Sequence, residues 1–572
     1  MEQSLITKKL APWFLLTLFA LTCYSSQIKK AVTVDEFSHF PAGIYNISNF
    51  DWRMDKESPP LIKCIPAVSA LITKPKINSE SFKTDPNPWS FGYDFMFRNM
   101  GGYREIFKYG RCVIILLGCF LGWLLFVFAK EIYGYEGALF ALFVYVLNPN
   151  IIAHSRLVTI DAGATCMIFL SVYCFWKFLN KGGASLAVIS GITLGLAQLS
   201  KFTALILYPV FLIIFSILII KNIFFVDNAI DGIRNIGLIK KVGYFFLILL
   251  ISVFVINAGY TFDRSFLPLN AYPFNSVPLK KISSLLLEKL PVPLPYDYLS
   301  GFDSQLHISA GNNPFYAGYL MGEHSLTGWW YYYIIAFVVK NPVALSGILI
   351  LTIISWVKRA LYRFNLETTL CIWMPIIGFF VYFSFFTHTP IGIRVILPVF
   401  PLLFLAAGHL GHEFLMKNRL SKIIVVVLAV GYLIPSVLIF PNYLSYFNLA
   451  SGGPRNGHRW LIDSNLDWGQ DLPVLKEYME RKGIKAIKLG YFGRVDPKIY
   501  GINYTLAQRE IEKNIYAVSV NFLVGRPYYL LKDNSKELVS ADLDYFKNYR
   551  SAKPVDVVGH TLYIFDFRDG EL

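Results

Sequence analysis

Asp35 and Glu36 are adjacent acids near the start of the sequence, and His39 follows them closely. Carboxylates placed side by side can act as a general base, hold a metal ion or bind another cation. The simpler interpretation is that both acids are solvated loop residues. This first cluster is therefore suited to catalysis, but the spacing alone leaves both interpretations open.

A second cluster, formed by His154, Arg156 and Asp161, joins two apolar runs. A carboxylate at the head of an apolar helix is often only a partner of the helix dipole, so Asp161 could be structural. Arg156 is harder to explain in that way. A cation and an anion at the same depth suit a phosphate and a metal ion, or each other.

Two further clusters are centred on cations. Lys201 lies in a turn between apolar runs, where its side chain could simply reach towards the membrane surface. His388 and Arg394 precede another apolar helix. Because a cation is unfavourable at a helix N-terminus, we expect Arg394 to have another partner, such as a lipid phosphate.

The elements that must position these residues are membrane helices. Of 572 residues, 55% are hydrophobic and 16% are charged, whereas a soluble protein carries about 25% charged residues. With a first helix near residues 10–24, the apolar runs predict about eleven membrane spans and hence a mainly α, polytopic membrane protein. The other predicted spans cover residues 112–129, 135–152, 160–178, 184–199, 203–220, 242–258, 332–357, 369–387, 394–411 and 422–440.

Basic residues give the predicted orientation. Lys8 and Lys9 precede the first run and basic residues recur in alternate loops, which places the N-terminus in the cytoplasm. The net charge of +15 is explained by the same bias, so we expect no nucleic acid partner. All four clusters then lie at the outer face of the lipid bilayer. There, cations could hold a lipid-linked phosphate while a carboxylate activates a hydroxyl for attack on a sugar carbon.

Two domains are expected, a transmembrane domain over residues 1–440 and a small soluble α/β domain outside the cytoplasm over residues 441–572. The first contains two large outer loops, residues 27–110 with an interfacial helix near Leu61–Ile72, and residues 259–330. For the second, the predicted helix and strands cover Leu472–Lys482, Ala486–Tyr491, Ile515–Phe522 and Thr561–Phe567.

Several segments resemble the dolichyl-phosphate-mannose protein mannosyltransferase superfamily, which includes glycosyltransferase family 39 and bacterial relatives and has the C-type glycosyltransferase fold. The combination covers nearly the whole chain. The similar segments are Asp35–Tyr45, Glu57–Leu61, Leu147–Asn150, His154–Asp161, Leu199–Ala204 and Arg394–Pro398. Three more resemble a bacterial subgroup, namely Tyr446–Asn448, Gly452–Pro454 and Asp463–Leu472.

The resemblance implies an inverting transferase that passes a monosaccharide, a hexose or a pentose, from a polyprenyl-phosphate donor to an acceptor. The acceptor could be a protein, a lipid or a glycan, and the membrane a bacterial inner membrane. The presumed catalytic base corresponds to Asp35, with its neighbour Glu36 as the second predicted catalytic acid. The positions that we assign to the donor phosphate are Arg156, Lys201 and Arg394. Supporting roles are expected for His39, His154, Asp161 and His388.

The resemblance implies no organic cofactor but leaves open a divalent cation, Mg²⁺ or Mn²⁺, shared by Asp35 and Asp161. One departure bears on the metal. Ser58 stands where many relatives have a histidine. A metal-binding or acceptor-binding role of that histidine would be lost or moved in this chain.

The segment Asp463–Leu472 concentrates acids, amides and one tryptophan in ten residues. Trp468 could stack on a sugar face. Alternatively, the Asp and Asn side chains could cap a helix that begins near Leu472.

Other classes of protein fit parts of the pattern. A lipid-linked glycan polymerase or ligase would also have many spans and large outer loops, but it would use a diphosphate-linked glycan. A lipid or sugar transporter would place ionisable residues in mid-membrane, on broken helices. A non-catalytic scaffold would make the clusters accidental. We favour the transferase because the charges gather at one membrane face.

Overall fold

The structure is a computed structural model that describes residues 2–224, 231–285, 288–311, 315, 317–360, 365–413, 419–532 and 537–568. Within the helices, the description leaves out the side chains of residues 2–8, 231–236, 285, 358–360 and 412–413. The side chain of Lys8, used above for orientation, therefore lies outside it.

The chain is mainly helical. Up to residue 260 the helices are α1 (Glu2–Gln27), α2 (Val34–Asn49), α3 (Pro60–Ala67), α4 (Ala70–Thr73), α5 (Pro88–Arg98), α6 (Tyr103–Val146), α7 (Pro149–His154), α8 (Ile160–Lys181), α9 (Ala184–Gln198), α10 (Leu207–Phe224) and α11 (Asp231–Gly259). The later ones are α12 (Val277–Leu285), α13 (Tyr296–Ser309), α14 (Tyr332–Val339), α15 (Val343–Ala360), α16 (Leu366–Phe385), α17 (Val399–Glu413), α18 (Arg419–Leu438), α19 (Leu472–Lys482), α20 (Val520–Leu523) and α21 (Lys547–Arg550).

Several of these helices suit a membrane. Among the described residues, six helices are long and apolar enough to cross it: α6, α8, α10 with the turn before it, α11, α16 and α18. A bent pair, α14 and α15, would make a seventh, while α9, α17 and the pair α3–α4 are apolar but shorter. The protein is thus a multi-pass membrane protein, and the predicted number of about eleven spans is not confirmed. α6 changes direction at Gly134 (φ 78°), between two of the predicted spans.

The predicted span over residues 332–357 is broken in the structure, since α14 and α15 meet at an angle of 114°. Pro342 lies at the break and has no N–H group with which to continue the helix. Beside it, the buried Lys340 Nζ donates hydrogen bonds to the carbonyl oxygens of Leu444 (2.8 Å) and Asn465 (2.5 Å). The break therefore ties the membrane helices to the segment that follows α18.

The long segments between the helices meet in one layer at one end of the bundle. The Ala31 N–H donates to the Gln470 carbonyl (2.8 Å), which joins the first long segment to the C-terminal region. The Met321 N–H donates to the Trp460 carbonyl (3.0 Å), which joins the second. The C-terminal region thus packs directly on both predicted outer loops.

The C-terminal region carries a five-stranded sheet whose strands lie in the order Tyr504–Leu506, Ile487–Gly490, Ile515–Ser519, Leu562–Asp566 and Asp556–Val558. The second of these strands is parallel to both of its neighbours, and the fourth is antiparallel to both of its own. A strand lies within each of the three predicted strand segments, and α19 has the predicted bounds. The strands are β1 (Gly318–Leu320), β2 (Glu323–Ser325), β3 (Ile487–Gly490), β4 (Tyr504–Leu506), β5 (Ile515–Ser519), β6 (Tyr528–Leu531), β7 (Leu538–Ala541), β8 (Asp556–Val558) and β9 (Leu562–Asp566).

A close contact between α2 and α3 positions the first cluster. A side chain at Gly43 of α2 would place its Cβ 2.0 Å from the carbonyl oxygen of Lys63 in α3. Only glycine allows this approach. It packs the middle of α2 directly against α3.

Candidate active site

A cavity of about 480 Å³ lies among the long segments at this end of the bundle, a volume typical of small-molecule sites. Its walls come from distant parts of the chain. α2 contributes Asp35 and His39, the turn after α9 contributes Lys201, the turn before α17 contributes Arg394, and the C-terminal region contributes Arg494. Three of the four sequence clusters therefore line one cavity, and Asp161 of the remaining cluster contacts two of the lining cations from behind.

Alternating charges form a row along the cavity wall. Asp35 Oδ2 accepts from Arg394 Nη1 at 2.6 Å, and Arg394 Nη1 lies 3.5 Å from Asp161 Oδ2. The other oxygen of Asp161 accepts from Lys201 Nζ at 2.6 Å. The carboxylate of Asp161 is fully buried, so it holds both cations in place from behind. Asp161 is therefore more than a partner of the helix dipole.

Arg394 is fixed by its surroundings. Its guanidinium carbon lies 4.4 Å from the centre of the Trp468 ring, which gives a cation–π contact. The preceding Gly392 has a φ of 133°, and the Ile393 N–H donates to Asn465 Oδ1 at 2.9 Å. Burial would lower the pKa of Arg394, but Asp35 and Asp161 outweigh it and raise that pKa above its ordinary value. Arg394 thus stays charged at the cavity.

His39, Asp55 and Lys63 form a second group of charged residues, and His39 lies beside Asp35, the first residue of the row. His39 Nδ1 lies 2.8 Å from Asp55 Oδ2, and His39 Nε2 lies 3.8 Å from Asp35 Oδ2. Lys63 Nζ lies 3.4 Å from the same Asp55 carboxylate. Burial opposes the charge on His39, but Asp55 and then Asp35 outweigh it, so the pKa of His39 is raised. His39 therefore lies between the carboxylates of Asp35 and Asp55.

Asp55 was not predicted as a site residue from the sequence. Its backbone has a φ of 59°, in the left-handed region, and its side chain is buried. Burial raises the pKa of Asp55, but the charges of Lys63 and His39 reverse that effect and lower it. The available signal was Lys63, a lysine inside an apolar segment that needs a buried anion as its partner.

Glu36 is a correction to the predicted catalytic pair. Its side chain is fully buried and does not line the cavity. Both of its oxygens accept from Arg111, at 2.7 Å and 2.6 Å, and one also accepts from the Val158 N–H at 2.8 Å. The other accepts from the Thr33 N–H at the start of α2. Glu36 therefore joins α2, α6 and the loop before α8 and has no oxygen free for substrate.

Arg156 is a second correction, since it is buried outside the cavity lining. Its Nη1 donates to the Pro441 carbonyl at 3.0 Å, and its guanidinium carbon lies 5.8 Å from the Tyr443 ring centre. Burial lowers the pKa of Arg156 to about 10. Arg156 anchors the chain where it leaves α18, so we no longer assign it to a donor phosphate.

The other two histidines also lie outside the cavity lining. His154 is buried with its ring centre 6.3 Å from that of Trp468, and burial lowers its pKa to about 3, so it is neutral. His388 is exposed, and its Nδ1 lies 3.0 Å from the Thr327 carbonyl oxygen. His154 supports the tryptophan under Arg394, whereas His388 joins two loops.

The segment Asp463–Leu472 forms a platform under the site. The carbonyls of Trp468 and Gln470 bind the backbone that leads into α2, and Asp471 forms a buried 2.5 Å ion pair with Lys30. Asp471 precedes α19 without a capping hydrogen bond from its side chain, so the predicted capping role is wrong. Trp468 lines the cavity, but Arg394 covers its ring, which excludes sugar stacking on that face.

Arg494, Arg526 and Glu57 line the cavity but were not predicted as site residues. Arg526 Nη2 lies 2.9 Å from Asp463 Oδ2 in an ion pair. Arg494 is surrounded by aromatic rings. Glu57, in the segment that resembles the family, lines the cavity and forms no ion pair with another described residue. No sequence pattern links the two arginines to the clusters, because only the fold brings them there.

The residues do not fit the predicted metal shared by Asp35 and Asp161. Arg394 already lies between the two carboxylates, within 2.6 Å of one and 3.5 Å of the other. Among the described residues, no three His, Cys, Asp or Glu side chains are grouped as metal ligands would be. The positive charge that a shared metal would supply comes from the guanidinium, and we derive no step through a metal.

Comparison with solved structures gives several similar chains. ArnT from Cupriavidus metallidurans bound to undecaprenyl phosphate is 14% identical, over 75% of this chain and 70% of that chain, with a TM-score of 0.45. A protein O-mannosyltransferase complex from S. cerevisiae bound to the sugar donor is 12% identical, over 76% and 90%, with a TM-score of 0.47. AglB from Archaeoglobus fulgidus, with an inhibitory peptide and a dolichol-phosphate, is 12% identical, over 94% and 74%, with a TM-score of 0.44.

A search of the curated proteins finds no match to this chain. The family comparison is more specific, because residues 107–229 match the model for dolichyl-phosphate-mannose-protein mannosyltransferases. That segment includes both Asp161 and Lys201 of the charged row. Over residues 107–229 the match confirms the resemblance found in the sequence, to the dolichyl-phosphate-mannose-protein mannosyltransferases.

Proposed function

We propose that this protein is a glycosyltransferase that moves a monosaccharide from a polyprenyl-phosphate donor to an acceptor hydroxyl. The observation that carries the proposal is the row Asp35–Arg394–Asp161–Lys201, in which Asp35, Arg394 and Lys201 line one cavity and the buried Asp161 pairs with both cations from behind. A carboxylate and two cations within one row can serve a base and a phosphate at the same time. The family match over the segment with Asp161 and Lys201 supports the same class of donor.

The cavity also has an apolar side that suits a lipid-linked donor. Ile160 at the start of α8, Tyr333 of α14 and Phe383 of α16 line it. These residues lie at the ends of apolar helices, so a polyprenyl chain could leave the cavity between the helices towards the membrane. The phosphate would then lie at the polar wall, next to Arg394 and Lys201.

In the proposed reaction, an acceptor oxygen attacks the anomeric carbon of the donor sugar from the face opposite the phosphate. Asp35 takes the proton of that hydroxyl as the new carbon–oxygen bond forms. The bond between the anomeric carbon and the phosphate oxygen breaks, and its electron pair stays on the phosphate. The anomeric configuration inverts, and Arg394 and Lys201 stabilise the charge that develops on polyprenyl phosphate.

The proposed setting is the outer face of a bacterial inner membrane, with the N-terminus in the cytoplasm. The sugar, a hexose or a pentose, and the acceptor, a protein, lipid or glycan, are left open by this proposal. The soluble C-terminal region lies on the side of the acceptor in this arrangement, since it forms part of the cavity wall.

The test uses the purified full chain in nanodiscs, a panel of polyprenyl-phosphate monosaccharides and a membrane extract as the source of acceptor. Mass spectrometry would measure the release of polyprenyl phosphate. We expect release from one or a few donors by the wild type and by Asp85→Asn, an exposed acid of the same long segment, but not by Asp35→Asn. Consumption of a diphosphate-linked glycan instead would favour the polymerase or ligase class, and no consumption of any donor would overturn the proposal.

A further inference from the structure

Arg494 is a buried cation at the cavity that lacks an anionic partner. Its side chain has 7% of its surface exposed and lines the cavity. Its Nε donates to the Tyr528 hydroxyl at 3.0 Å and its Nη1 to the Tyr93 hydroxyl at 3.4 Å. Among the described residues, no carboxylate forms an ion pair with it and its Nη2 makes no hydrogen bond.

The other cations of the cavity lining differ from Arg494 in this respect. Lys201, Arg394 and Arg526 each form an ion pair with a carboxylate, at 2.6 Å, 2.6 Å and 2.9 Å. A buried charge that is not paired with an opposite charge keeps an uncompensated desolvation cost. An anion that enters the cavity would offset that cost at Arg494. It would displace no carboxylate of the protein there, whereas at each of the other three cations it would compete with one.

Aromatic rings surround Arg494 and extend along the same wall. The guanidinium carbon lies 5.2 Å from the ring centre of Trp89, 4.7 Å from that of Tyr528 and 5.0 Å from that of Tyr529. Phe315 stacks on Tyr529 with ring centres 4.9 Å apart, and both line the cavity. Such a wall offers flat apolar faces with hydroxyl groups at their edges, and a sugar ring has a matching apolar face and polar rim.

We propose that Arg494 and the rings of Trp89, Tyr528, Tyr529 and Phe315 form the acceptor subsite, and that it binds an acidic saccharide. The anionic group of the saccharide, a carboxylate or a phosphate, lies against Arg494, and its ring lies against the aromatic wall. The inference rests on the proposed function, because it assigns this part of the cavity to the acceptor and the row at Asp35 to the donor.

The position of this subsite suits transfer. Arg494 and Asp35 line the same cavity from opposite parts of the chain. A saccharide held at Arg494 could therefore place one of its hydroxyls next to Asp35.

The experiment measures the binding of three small probes to the full chain in nanodiscs by saturation-transfer NMR. Methyl glucuronide carries a carboxylate, glucose 6-phosphate carries a phosphate, and methyl glucoside is neutral. We expect at least one acidic probe to bind about tenfold more tightly than the neutral one, as a charge-assisted pair with Arg494 would give. The difference between the two acidic probes would identify the anionic group.

Variants locate the effect. Arg494→Met keeps the length of the side chain and is expected to abolish the preference for acidic probes, whereas Arg509→Met, at an exposed arginine, is expected to keep it. Tyr529→Leu removes one ring of the aromatic wall and should weaken the binding of all three probes to a similar degree. If Arg494→Met fails to fold, the wild-type comparison still decides, because equal binding of acidic and neutral probes by the wild type would overturn the proposal.

Undecaprenyl phosphate binding, measured on the same samples, separates this inference from the proposed function. A wild type that binds the lipid phosphate but shows no preference for acidic probes would contradict the acceptor subsite alone. A wild type that binds no lipid phosphate would contradict the proposed function itself. Arg494→Met is expected to bind the lipid phosphate as the wild type does, and a loss of that binding would assign Arg494 to the donor and overturn the subsite.

Discussion

Asp35 and Arg394 form a 2.6 Å ion pair at the wall of the cavity, so the proposed base is also the partner of the cation proposed to hold the donor phosphate. The two roles compete. A phosphate offers Arg394 two or three acceptor oxygens, and guanidinium groups pair with phosphate in a bidentate manner. We infer that a bound donor takes over Arg394 and thereby releases Asp35 to accept a proton.

This competition gives a prediction for Asp35→Asn. The amide carries no charge, so it cannot act as a base, and turnover should fall by about a hundredfold or more. Because the amide also competes less well for Arg394, the variant should bind undecaprenyl phosphate at least as tightly as the wild type. Turnover and lipid binding, measured on one preparation, would check both parts, and a parallel loss of the two would mean that Asp35 only maintains the structure.

Arg394→Lys tests the cation of the same pair. Lysine keeps the charge but loses the planar group that lies over Trp468 and can bind two oxygens at once. We expect the KM for the donor to rise about tenfold, in line with one lost charge-assisted hydrogen bond. The matched variant is Lys488→Arg, a charge-conserving change at a lysine of the C-terminal sheet outside the cavity lining. Unchanged kinetics in Arg394→Lys would show that only the charge matters.

Glu36 provides the opposite case, an acid that we expect to act through stability. Glu36→Gln leaves Arg111 buried without its anion, and breaking a buried pair in this way costs about 3–5 kcal/mol. We expect a lower melting temperature and less folded protein. The double variant Glu36→Gln/Arg111→Gln, which removes the unpaired cation, should recover part of the loss. A Glu36→Gln protein that has the melting temperature of the wild type but no activity would show that Glu36 takes part in catalysis.

A metal-chelation experiment follows from the position of Arg394. Since the guanidinium lies between Asp35 and Asp161, transfer should keep its rate within about twofold after treatment with EDTA, a change too small to reflect the loss of a charge that stabilises the transition state. The measurement is the initial rate before and after chelation, followed by readdition of Mg²⁺ or Mn²⁺. A large loss that Mn²⁺ or Mg²⁺ restores would mean that a cation binds in a rearranged site.

The sequence identified the charges of the row because their positions were unusual for a membrane helix. Arg394 stood at the wrong end of a helix for its charge, and Lys201 and Asp161 bordered apolar runs. The family resemblance assigned the base to Asp35, but the residue types alone do not separate Asp35 from its neighbour Glu36. A helix turns by about 100° per residue, so adjacent residues face different neighbours. The packing of α2 against the other elements decides which of them faces which, and it places Asp35 at the cavity and Glu36 against Arg111.

The rest of the site depends on contacts between distant segments. Asp55 belongs to a loop without a periodic pattern, and its importance comes from its buried pairs with His39 and Lys63. Arg494 lies more than 450 residues from Asp35 along the chain. It lines the cavity because the C-terminal region packs on the first long segment. Local patterns carry no information on such packing.

Asp467, in the platform below the site, should make stability depend on pH. Burial raises its pKa to about 7, so between about pH 4 and pH 7 the folded protein keeps a proton that the unfolded chain has lost. Stability should therefore fall as the pH rises through this range and level off above it. Asp467→Asn cannot ionise at this position and escapes this loss. The melting temperature of the variant minus that of the wild type should therefore increase by about 2 °C or more between pH 5 and pH 8. Asp556→Asn, at an exposed acid, should show no such gain, and equal pH profiles for wild type and Asp467→Asn would mean that Asp467 is ionised in the folded protein throughout.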